Sequence, residues 1–430
     1  MITFGWSDYD PLEGSATSID PLRSLANSVV LGNLVFPGTS GRVWRIRYLS
    51  ALCFLMKCAN LKRGETFQEN YKKFRKFENA FILALNELKK RKNSEHDFQR
   101  IIGLEKAEQL VRSNTRSISI IGDILSNQVN LGPLGVHTVL LRELDLVESE
   151  RELILLPSGE LLANYYEKSI GINSELFIEK ISNNRIQTLR PEDFETITES
   201  LLFEFKTKTK NLELETIQKK IFSNDIRKQL FTDILSIGKK AFTANESQLI
   251  DYLVHLKSPL IRRYKLIRAY DVFQRILKYH FDVIRNVPKE KIQFQLKGDK
   301  RISESYSEIK NILTTAIRDL VDSIDGYLIE NEDSDDVLIE IKKFAEEVST
   351  FNEYIEFTDF LVEFHEKHQK EKGKAPWVRK YAEGRFEIAP SYIMNEELTT
   401  FKESMKSNIH SYRLSNCLKM IVDMDLQTVL

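Results

Sequence analysis

The chain has 430 residues, with a hydrophobic fraction of 42%, an aromatic fraction of 10% and a formal net charge of −1. This composition excludes a largely disordered protein, and the length predicts about two to four structural units. The cysteine count of three is odd, which argues against a disulfide framework and for a reducing compartment. The longest apolar run, residues 48–56, is too short to span a bilayer. We therefore expect a cytoplasmic protein that does not cross a membrane.

The low glycine and proline content predicts the fold class. With only 17 Gly and 10 Pro, the sequence leaves room for long uninterrupted helices. We predict a mainly α-helical, multi-unit protein with one embedded winged-helix-like module. The predicted units are an N-terminal helical unit with a basic block (1–100), the winged-helix-like module (101–172), a central helical unit (173–300) and an acidic C-terminal helical unit (301–430).

A sharp turn at residues 37–41 (PGTSG) separates an apolar run from a segment in which arginines alternate with apolar and aromatic residues. The alternating residues are Arg42, Val43, Trp44, Arg45, Ile46, Arg47 and Tyr48. We expect Trp44 and Tyr48 to be buried, and at least one arginine to bind a carboxylate such as that of Asp8 or Asp10. The turn lacks the spacing of a P-loop or a dinucleotide site. It is either a structural turn or a simple phosphate cradle that uses the neighbouring arginines.

A basic block follows this turn. Residues 64–92 have apolar side chains at three- and four-residue steps, which predicts a helix with a lysine-rich outer face. From Arg42 to Lys92 there are 14 Lys and Arg against four Glu, a net charge of +10, and such a face can neutralise phosphates. The residues predicted to bind nucleic acid are Arg42, Arg45, Arg47, Lys72, Lys73, Arg75 and Lys76. Alternatively the face is solvated, or it docks on the acidic residues 319–366 of this chain or of a second copy in a homo-oligomer.

The winged-helix-like module is predicted from the order of its elements. These are a helix (105–114), an apolar segment (118–125), a helix (136–144), a short strand (152–156) and a helix (160–168). The helix 136–144 stands where a recognition helix would be, and residues 148–152 would form the wing. Between positions 131 and 160 the net charge is −4, whereas a wing that follows phosphates should be basic. The residues that would touch a DNA groove are His137, Thr138 and Arg142. Packing or protein contact is the favoured interpretation.

The charge changes sign along the second half of the chain. Residues 257–291 have a net charge of +7 on a predicted helix that begins at a capping serine, Ser258, followed by Pro259. Residues 319–366 contain 16 acidic residues and two lysines, a net charge of −14. A surface of that sign avoids nucleic acid or meets a basic partner.

Two patterns resemble metal sites. His365 and His368 are three residues apart instead of the four of zinc proteases, and no third ligand is near in sequence. We therefore expect two exposed histidines and predict no cofactor. Asp325, Glu340 and Lys342 have the spacing of D…ExK nucleases, in which the carboxylates bind Mg²⁺ and the lysine orients water. No flanking strands are evident and the apolar residues around Glu340 have helical spacing, so a metal-dependent nuclease is an alternative only.

Short motifs occur near both ends of the chain. They are FGWSDY at 4–9, LVFPGTS at 34–40, RIRYL at 45–49, His368, KGKAPW at 372–377 and HSYRL at 410–414. Together they resemble poorly characterised bacterial proteins of phage-defence gene clusters. The resemblance implies a defence context beside an ATPase, a helicase or a nuclease, and it provides no catalytic residue. We predict a non-catalytic subunit of an anti-phage defence complex that contacts DNA, such a partner, or both. A winged-helix transcriptional regulator is a further alternative, which the acidic wing disfavours.

Overall fold

The computed structural model describes residues 20–39, 43, 45–92, 101–113, 118–125, 127–148, 153–170, 177–179, 181, 188–189, 211–287, 292–331, 335–394, 400–406 and 412–426. Within these residues the protein is mainly α-helical, which confirms the predicted fold class. In the same part of the chain, no helix combines the length and the apolar character needed to cross a bilayer.

The helices lie in this order along the chain. Those of the first half are α1 (Ser24–Val35), α2 (Tyr48–Cys58), α3 (Phe67–Lys92), α4 (Leu104–Ser113), α5 (Gln128–Leu131), α6 (Pro133–Glu143), α7 (Pro157–Ile170) and α8 (Leu212–Ile221). Those of the second half are α9 (Asp225–Ile237), α10 (Lys239–Thr243), α11 (Glu246–Leu253), α12 (Ile261–Arg285), α13 (Lys300–Glu330), α14 (Asp336–Ser349), α15 (Tyr354–Glu371), α16 (Phe401–Ser404) and α17 (Leu414–Asp423).

Short strands form two antiparallel sheets. The strands are β1 (Ile118–Ser119), β2 (Thr188–Leu189), β3 (Gln293–Gln295), β4 (Val378–Ala382) and β5 (Arg385–Ile388). β1 pairs with β2, and the other sheet has the order β3-β5-β4. The β4–β5 hairpin turns at Gly384, whose φ of 61° is costly for a residue with a Cβ.

The chain forms two compact units, each assembled from separated segments. Unit 1 comprises residues 1–37 and 232–415, and unit 2 comprises residues 38–231 and 416–430. This division is coarser than the four segments expected from the sequence, which remain a prediction.

The core of unit 1 lies along α12 and α13, which pack against each other. Apolar side chains are buried along both helices, among them Tyr264, Phe273, Phe281, Ile309, Leu320 and Ile324. α12 begins just after the predicted serine cap, where the Ser258 hydroxyl accepts a hydrogen bond from Leu260 N–H at 3.0 Å. Because this hydroxyl also donates to the buried Asp233, the start of α12 is fixed from both sides.

The core of unit 2 surrounds α2, in which Lys57 is the one exposed residue. α3 buries the predicted apolar stripe, including Phe74, Phe81 and Leu85. It begins at Phe67 because Thr66 and Glu69 form a reciprocal cap, with Thr66 N–H donating to Glu69 at 2.8 Å.

The helices predicted for the winged-helix-like module are present as α4, α6 and α7. Between α6 and α7, Val147 and Leu155 form an antiparallel bridge, and Leu156 N–H donates to Leu146 O at 3.0 Å. Residues 149–152 of the predicted wing lie outside the described residues. α6 begins at Pro133, after Gly132, where a Cβ would lie 2.5 Å from the Gln128 carbonyl oxygen.

Candidate nucleic-acid and partner interfaces

Arg47 lies in the core of unit 2 and does not form part of a nucleic-acid surface. Its side chain is 0% exposed. The guanidinium donates to both carboxylate oxygens of Glu213, at 3.0 and 3.1 Å, and to the Ser169 hydroxyl, and it lies over the Tyr166 ring. The prediction that Arg47 binds nucleic acid is therefore wrong for this structure, because a phosphate cannot reach the guanidinium.

The rest of this segment is also held inside unit 2. Arg45 lies 3.4 Å from Asp423, whose carboxylate also accepts Ile46 N–H at 3.1 Å. Tyr48 is buried, as predicted, and its hydroxyl accepts a hydrogen bond from Ile102 N–H. The expected arginine–carboxylate pair is thus present, with different carboxylates from those proposed. Arg42, Trp44, Asp8 and Asp10 lie outside the described residues.

The PGTSG turn packs tightly against an acidic side chain. Gly38 has a φ of 77°, and a Cβ at this position would lie 2.6 Å from Glu143 Cγ. Thr39 is buried, and Ser40 and Gly41 lie outside the described residues. Because a neighbouring carboxylate repels phosphate, this geometry supports the structural turn rather than the phosphate cradle.

The basic face of α3 and the loop before it is partly neutralised by carboxylates of unit 2. Described ion pairs join Lys73 to Glu65 (2.5 Å), Arg75 to Asp123 (2.7 Å), Lys89 to Glu108 (3.3 Å), Lys90 to Glu87 (2.6 Å) and Arg63 to Glu148 (3.1 Å). Lys72 is exposed, and Lys76 is half-buried. Such surface pairs are weak, typically about 0–1 kcal/mol, so they do not prevent phosphate binding, but they remove much of the net charge that would attract it.

α6 is a packing helix. His137 is 0% exposed, and its Nδ1 lies 2.7 Å from Pro133 O. Burial lowers the pKa of His137 to about 4. The Thr138 hydroxyl donates to Leu134 O, which turns it toward its own helix. The interpretation in which His137 touches a DNA groove is therefore wrong, and the exposed side chains of α6, Val139 and Glu143, do not suit phosphate.

A buried polar network that the sequence did not reveal connects α3 to the start of α6. The Glu78 carboxylate accepts hydrogen bonds from Gln128 Nε2 at 2.7 Å and from Leu134 N–H at 2.9 Å. Gln128 also donates to Asn79 Oδ1 and accepts Ile124 N–H. Burial raises the pKa of Glu78 to about 7, and the hydrogen bonds oppose that shift. The sequence feature that could have indicated this network is Glu78, an acidic residue within the apolar stripe of α3.

The nuclease arrangement is not formed. Residues 336–349 are the helix α14, on which Glu340 and Lys342 are about 200° apart around the axis. Lys342 binds Asp325 of α13 at 2.5 Å, whereas Glu340 binds Arg23 at 3.0 Å. Among the described residues, no group of three or more His, Cys, Asp or Glu side chains is arranged to hold a metal ion.

His365 and His368 are buried, so the expectation that both are exposed is wrong. Trp377 N–H donates to His365 Nε2 at 2.8 Å, which leaves Nδ1 to donate to Pro21 O at 2.9 Å. Burial lowers the pKa of His365 to about 4 and also lowers that of His368. The imidazole of His365 is thus a neutral connector between α15 and the β4 strand.

Residues near the two ends of the chain are in contact in unit 1. Gln369 Nε2 and Lys372 Nζ both donate to Asp20 O, at 3.2 and 3.3 Å, beside the contact of His365 with Pro21. The carboxylate of Asp20 caps the start of α1 by accepting Leu25 N–H. These contacts join the chain before α1 to the C-terminal half of α15.

Arg413 makes a second connection of this kind. Its side chain is buried against α1, where it donates to the Asn33 side chain and to Val29 O. A Cβ at Gly32 would lie 3.3 Å from Arg413 Nε, so the glycine allows the close approach. The closing HSYRL motif therefore contributes an arginine that packs on the helix preceding the opening LVFPGTS turn.

The exposed carboxylates of the acidic segment lie on α13, α14 and α15 of unit 1 and on the turns that join them. Lys342 joins α14 to α13 through Asp325, and Lys310 of α13 donates to Asn352 O in the α14–α15 turn. The exposed carboxylates are Asp319, Asp322, Glu330, Asp336, Glu340, Glu346, Glu347, Glu353, Glu356 and Glu363. We call this set the acidic surface. Described cations balance only part of it, for example Arg262 at Glu330.

Comparison with known proteins gives no family assignment. No protein-family model, curated protein or solved structure matches the chain. The observations that bear on function are therefore the exposed charged side chains and the resemblance of the terminal motifs.

Proposed function

We propose that this chain is a non-catalytic subunit of a bacterial anti-phage defence assembly that binds a basic partner protein through the acidic surface. The partner would be the ATPase, helicase or nuclease of the same system. The defence context comes from the resemblance of the terminal motifs. The proposed mode of binding is supported by the exposed carboxylates of the acidic surface of unit 1.

The observation that carries the proposal is the acidic surface itself. Its carboxylates are on three helices that pack on one another, so their relative positions are fixed by the fold. Rigid helices present charge at little entropic cost, and complementary charge accelerates and orients association with a basic partner. A surface of this sign repels DNA, which makes a protein the better occupant.

DNA contact through α3 is the weaker candidate within the same proposal. It is supported by exposed Lys72 and by partly exposed Lys73 and Arg75, whose ion pairs can exchange for phosphates. DNA contact is less well supported because Arg47, one of the predicted contacts, is buried and cannot reach a phosphate. The subunit would then bind nucleic acid weakly and without sequence preference, and its partner would recognise the sequence.

The experiment is co-purification of the full chain with the products of the genes that flank its own. Asp322→Lys, Glu347→Lys and Glu356→Lys together reverse three carboxylates on α13, α14 and α15. We expect this variant to lose the complex while keeping its circular dichroism spectrum and melting temperature. The loss should be measured as Kd over a series of salt concentrations, because interfacial charge contributes less as salt screens it.

The matched control reverses three exposed carboxylates of unit 2, Glu105, Glu160 and Glu215, each in the first turn of its helix. The net charge of the chain changes by the same amount in both variants. The proposal requires the control to bind normally. Equal loss in both variants would indicate a dependence on overall charge, and a complex unaffected by either would exclude the acidic surface.

A further inference from the structure

The β3-β5-β4 sheet of unit 1 has one covered face and one open face. The covered face carries Phe386, which stacks with Phe294 at 5.7 Å between ring centroids. On the same side, Lys380 of β4 binds Asp359 and Glu363 of α15 at 2.5 and 2.9 Å. α15 therefore packs across one side of the sheet, and on the other side the described side chains of Gln293, Gln295, Arg379 and Arg385 are exposed.

The register defines the side chains on the open face. Gln293 pairs with Glu387, which pairs with Arg379, and Gln295 pairs with Arg385. Gln293, Gln295, Arg379 and Arg385 are all exposed, which agrees with the alternation of side chains along a strand. One row on this face thus contains Gln293, Glu387 and Arg379, and the adjacent row contains Gln295 and Arg385.

A bulge in β4 adds an aromatic ring to this face. The register shifts between Lys380 and Ala382, so Tyr381 is the additional residue and Ala382 is opposite Arg385. Tyr381 is 46% exposed, which is unusual for a large aromatic side chain of this chain. An exposed ring beside guanidinium groups is a platform on which a nucleobase can stack.

Two lysines lie near the β4–β5 turn, at one end of the sheet. Leu296 N–H donates to Gly384 O at 3.0 Å, so the chain that follows β3 lies beside the β4–β5 turn. That chain carries exposed Lys297 and Lys300. Glu387 is held by Arg379 at 2.6 Å, so its charge is compensated, and Glu383 is the uncompensated carboxylate of the turn.

We infer that this open face binds single-stranded nucleic acid. Tyr381 stacks on a base, Arg385 and Gln295 hydrogen-bond to base edges, and Lys297 and Lys300 neutralise phosphates. A duplex is a poorer ligand because its base faces are stacked internally and cannot reach Tyr381. The inference goes beyond the proposed partner docking, since the sheet carries none of the carboxylates of the acidic surface.

The test measures fluorescence anisotropy of labelled oligo(dT) and oligo(rU), each of about 15 nucleotides, with the full chain at about 50 mM salt. Tyr381→Ala should weaken binding about 5- to 150-fold, the equivalent of about 1–3 kcal/mol for one stacked base. Tyr381→Trp should restore binding, because it returns an aromatic face. Arg385→Glu should weaken binding at least about tenfold and make it less dependent on salt. The two oligonucleotides distinguish a preference for DNA from one for RNA.

Lys72→Glu tests the competing site on α3. The matched control is Lys219→Glu, which reverses an exposed cation on α8 of unit 2, outside both candidate sites. We expect it to bind like the parent. The inference is overturned if the parent binds neither oligonucleotide, if a duplex of the same length binds equally well, or if Tyr381→Ala binds like the parent. Loss in Lys72→Glu alone would assign binding to α3 and would also overturn it. Capture of a protein partner that depends on Tyr381, without oligonucleotide binding, would do the same.

Discussion

The guanidinium of Arg47 and the carboxylate of Glu213 form a buried bidentate ion pair between residues 166 positions apart in sequence. Each group is almost fully removed from water, at 0% and 1% side-chain exposure. Two buried charges are tolerated only while they compensate each other. The pair therefore fixes the register between the start of α2 and the start of α8.

Removal of one partner should be far more costly than removal of both. We expect Glu213→Gln to lower the free energy of unfolding by about 3–5 kcal/mol, because Arg47 is left as an uncompensated buried charge. The double variant Arg47→Met, Glu213→Leu should recover most of that loss. Urea denaturation of each variant measures both values. If the single and double variants are equally destabilised, the ion pair is not the source of the effect.

Glu78 predicts a pH dependence of stability in the neutral range. Its folded pKa, about 7, is raised above the usual value of 4.5, so the folded protein binds a proton that the unfolded chain has released. The contribution of Glu78 to stability should therefore fall as the pH rises from about 4.5 through 7, by up to about 3 kcal/mol, and should be level above pH 7.

Glu78→Gln should remove this slope, which denaturant unfolding at several pH values between about 5 and 8 measures. Glu105→Gln, at an exposed acidic position of α4, is the control and should keep it. A slope that is the same in the parent and in Glu78→Gln would contradict the assignment.

His280 predicts the opposite behaviour in acid. Its ring lies between the hydroxyls of Ser305 and Thr358, at 3.1 and 3.0 Å, and burial lowers its pKa to about 3. The folded protein cannot bind the proton that the unfolded chain accepts below about pH 6.5. The contribution of His280 to stability should fall by about 1.4 kcal/mol for each pH unit from about 6.5 down to 3. His280→Leu should reduce that slope, and the exposed His255→Leu should not.

Alanine substitutions at Gly38 and Gly64 separate the free-energy cost of backbone strain from the cost of a steric clash. Both have positive φ, 77° and 83°, but a Cβ would meet Glu143 Cγ at 2.6 Å only at Gly38, and at Gly64 it would meet nothing within 4 Å. Gly64→Ala should cost about 1 kcal/mol and Gly38→Ala about 1–3 kcal/mol more. Thermal unfolding of both variants compares them, and equal costs would mean that Glu143 moves aside freely.

Hydrophobic periodicity was sufficient to predict the long helices. The apolar stripes of α3 and α13 are buried as their three- and four-residue spacing required, because a helix places such residues on one face. Short elements were not predictable in this way. The strands of the β4–β5 hairpin have only five and four residues, so the alternation of Arg385, Phe386, Glu387 and Ile388 is too short to distinguish a strand from a loop.

Hydrogen-bond and ion-pair partners that are far apart in sequence were also not predictable. Nothing near Arg47 indicates that its carboxylate is Glu213, and nothing near His365 indicates that Trp377 N–H will reach it. From the sequence alone, arginine and histidine side chains are expected at the surface. In the fold, Arg47 instead binds the buried Glu213, and His365 accepts a hydrogen bond from Trp377 N–H. The nuclease spacing failed for a related reason, because α14 turns Glu340 and Lys342 to different sides.

Binding of a basic partner protein requires the partner's lysines to lie against the acidic surface of unit 1. Zero-length carboxyl–amine cross-linking of the purified complex, followed by mass spectrometry, detects such contacts. We predict cross-links from Asp322, Glu347 and Glu356 to lysines of the partner, and their loss at high salt. Cross-links confined to carboxylates of unit 2, such as Glu105 and Glu160, would contradict the claim.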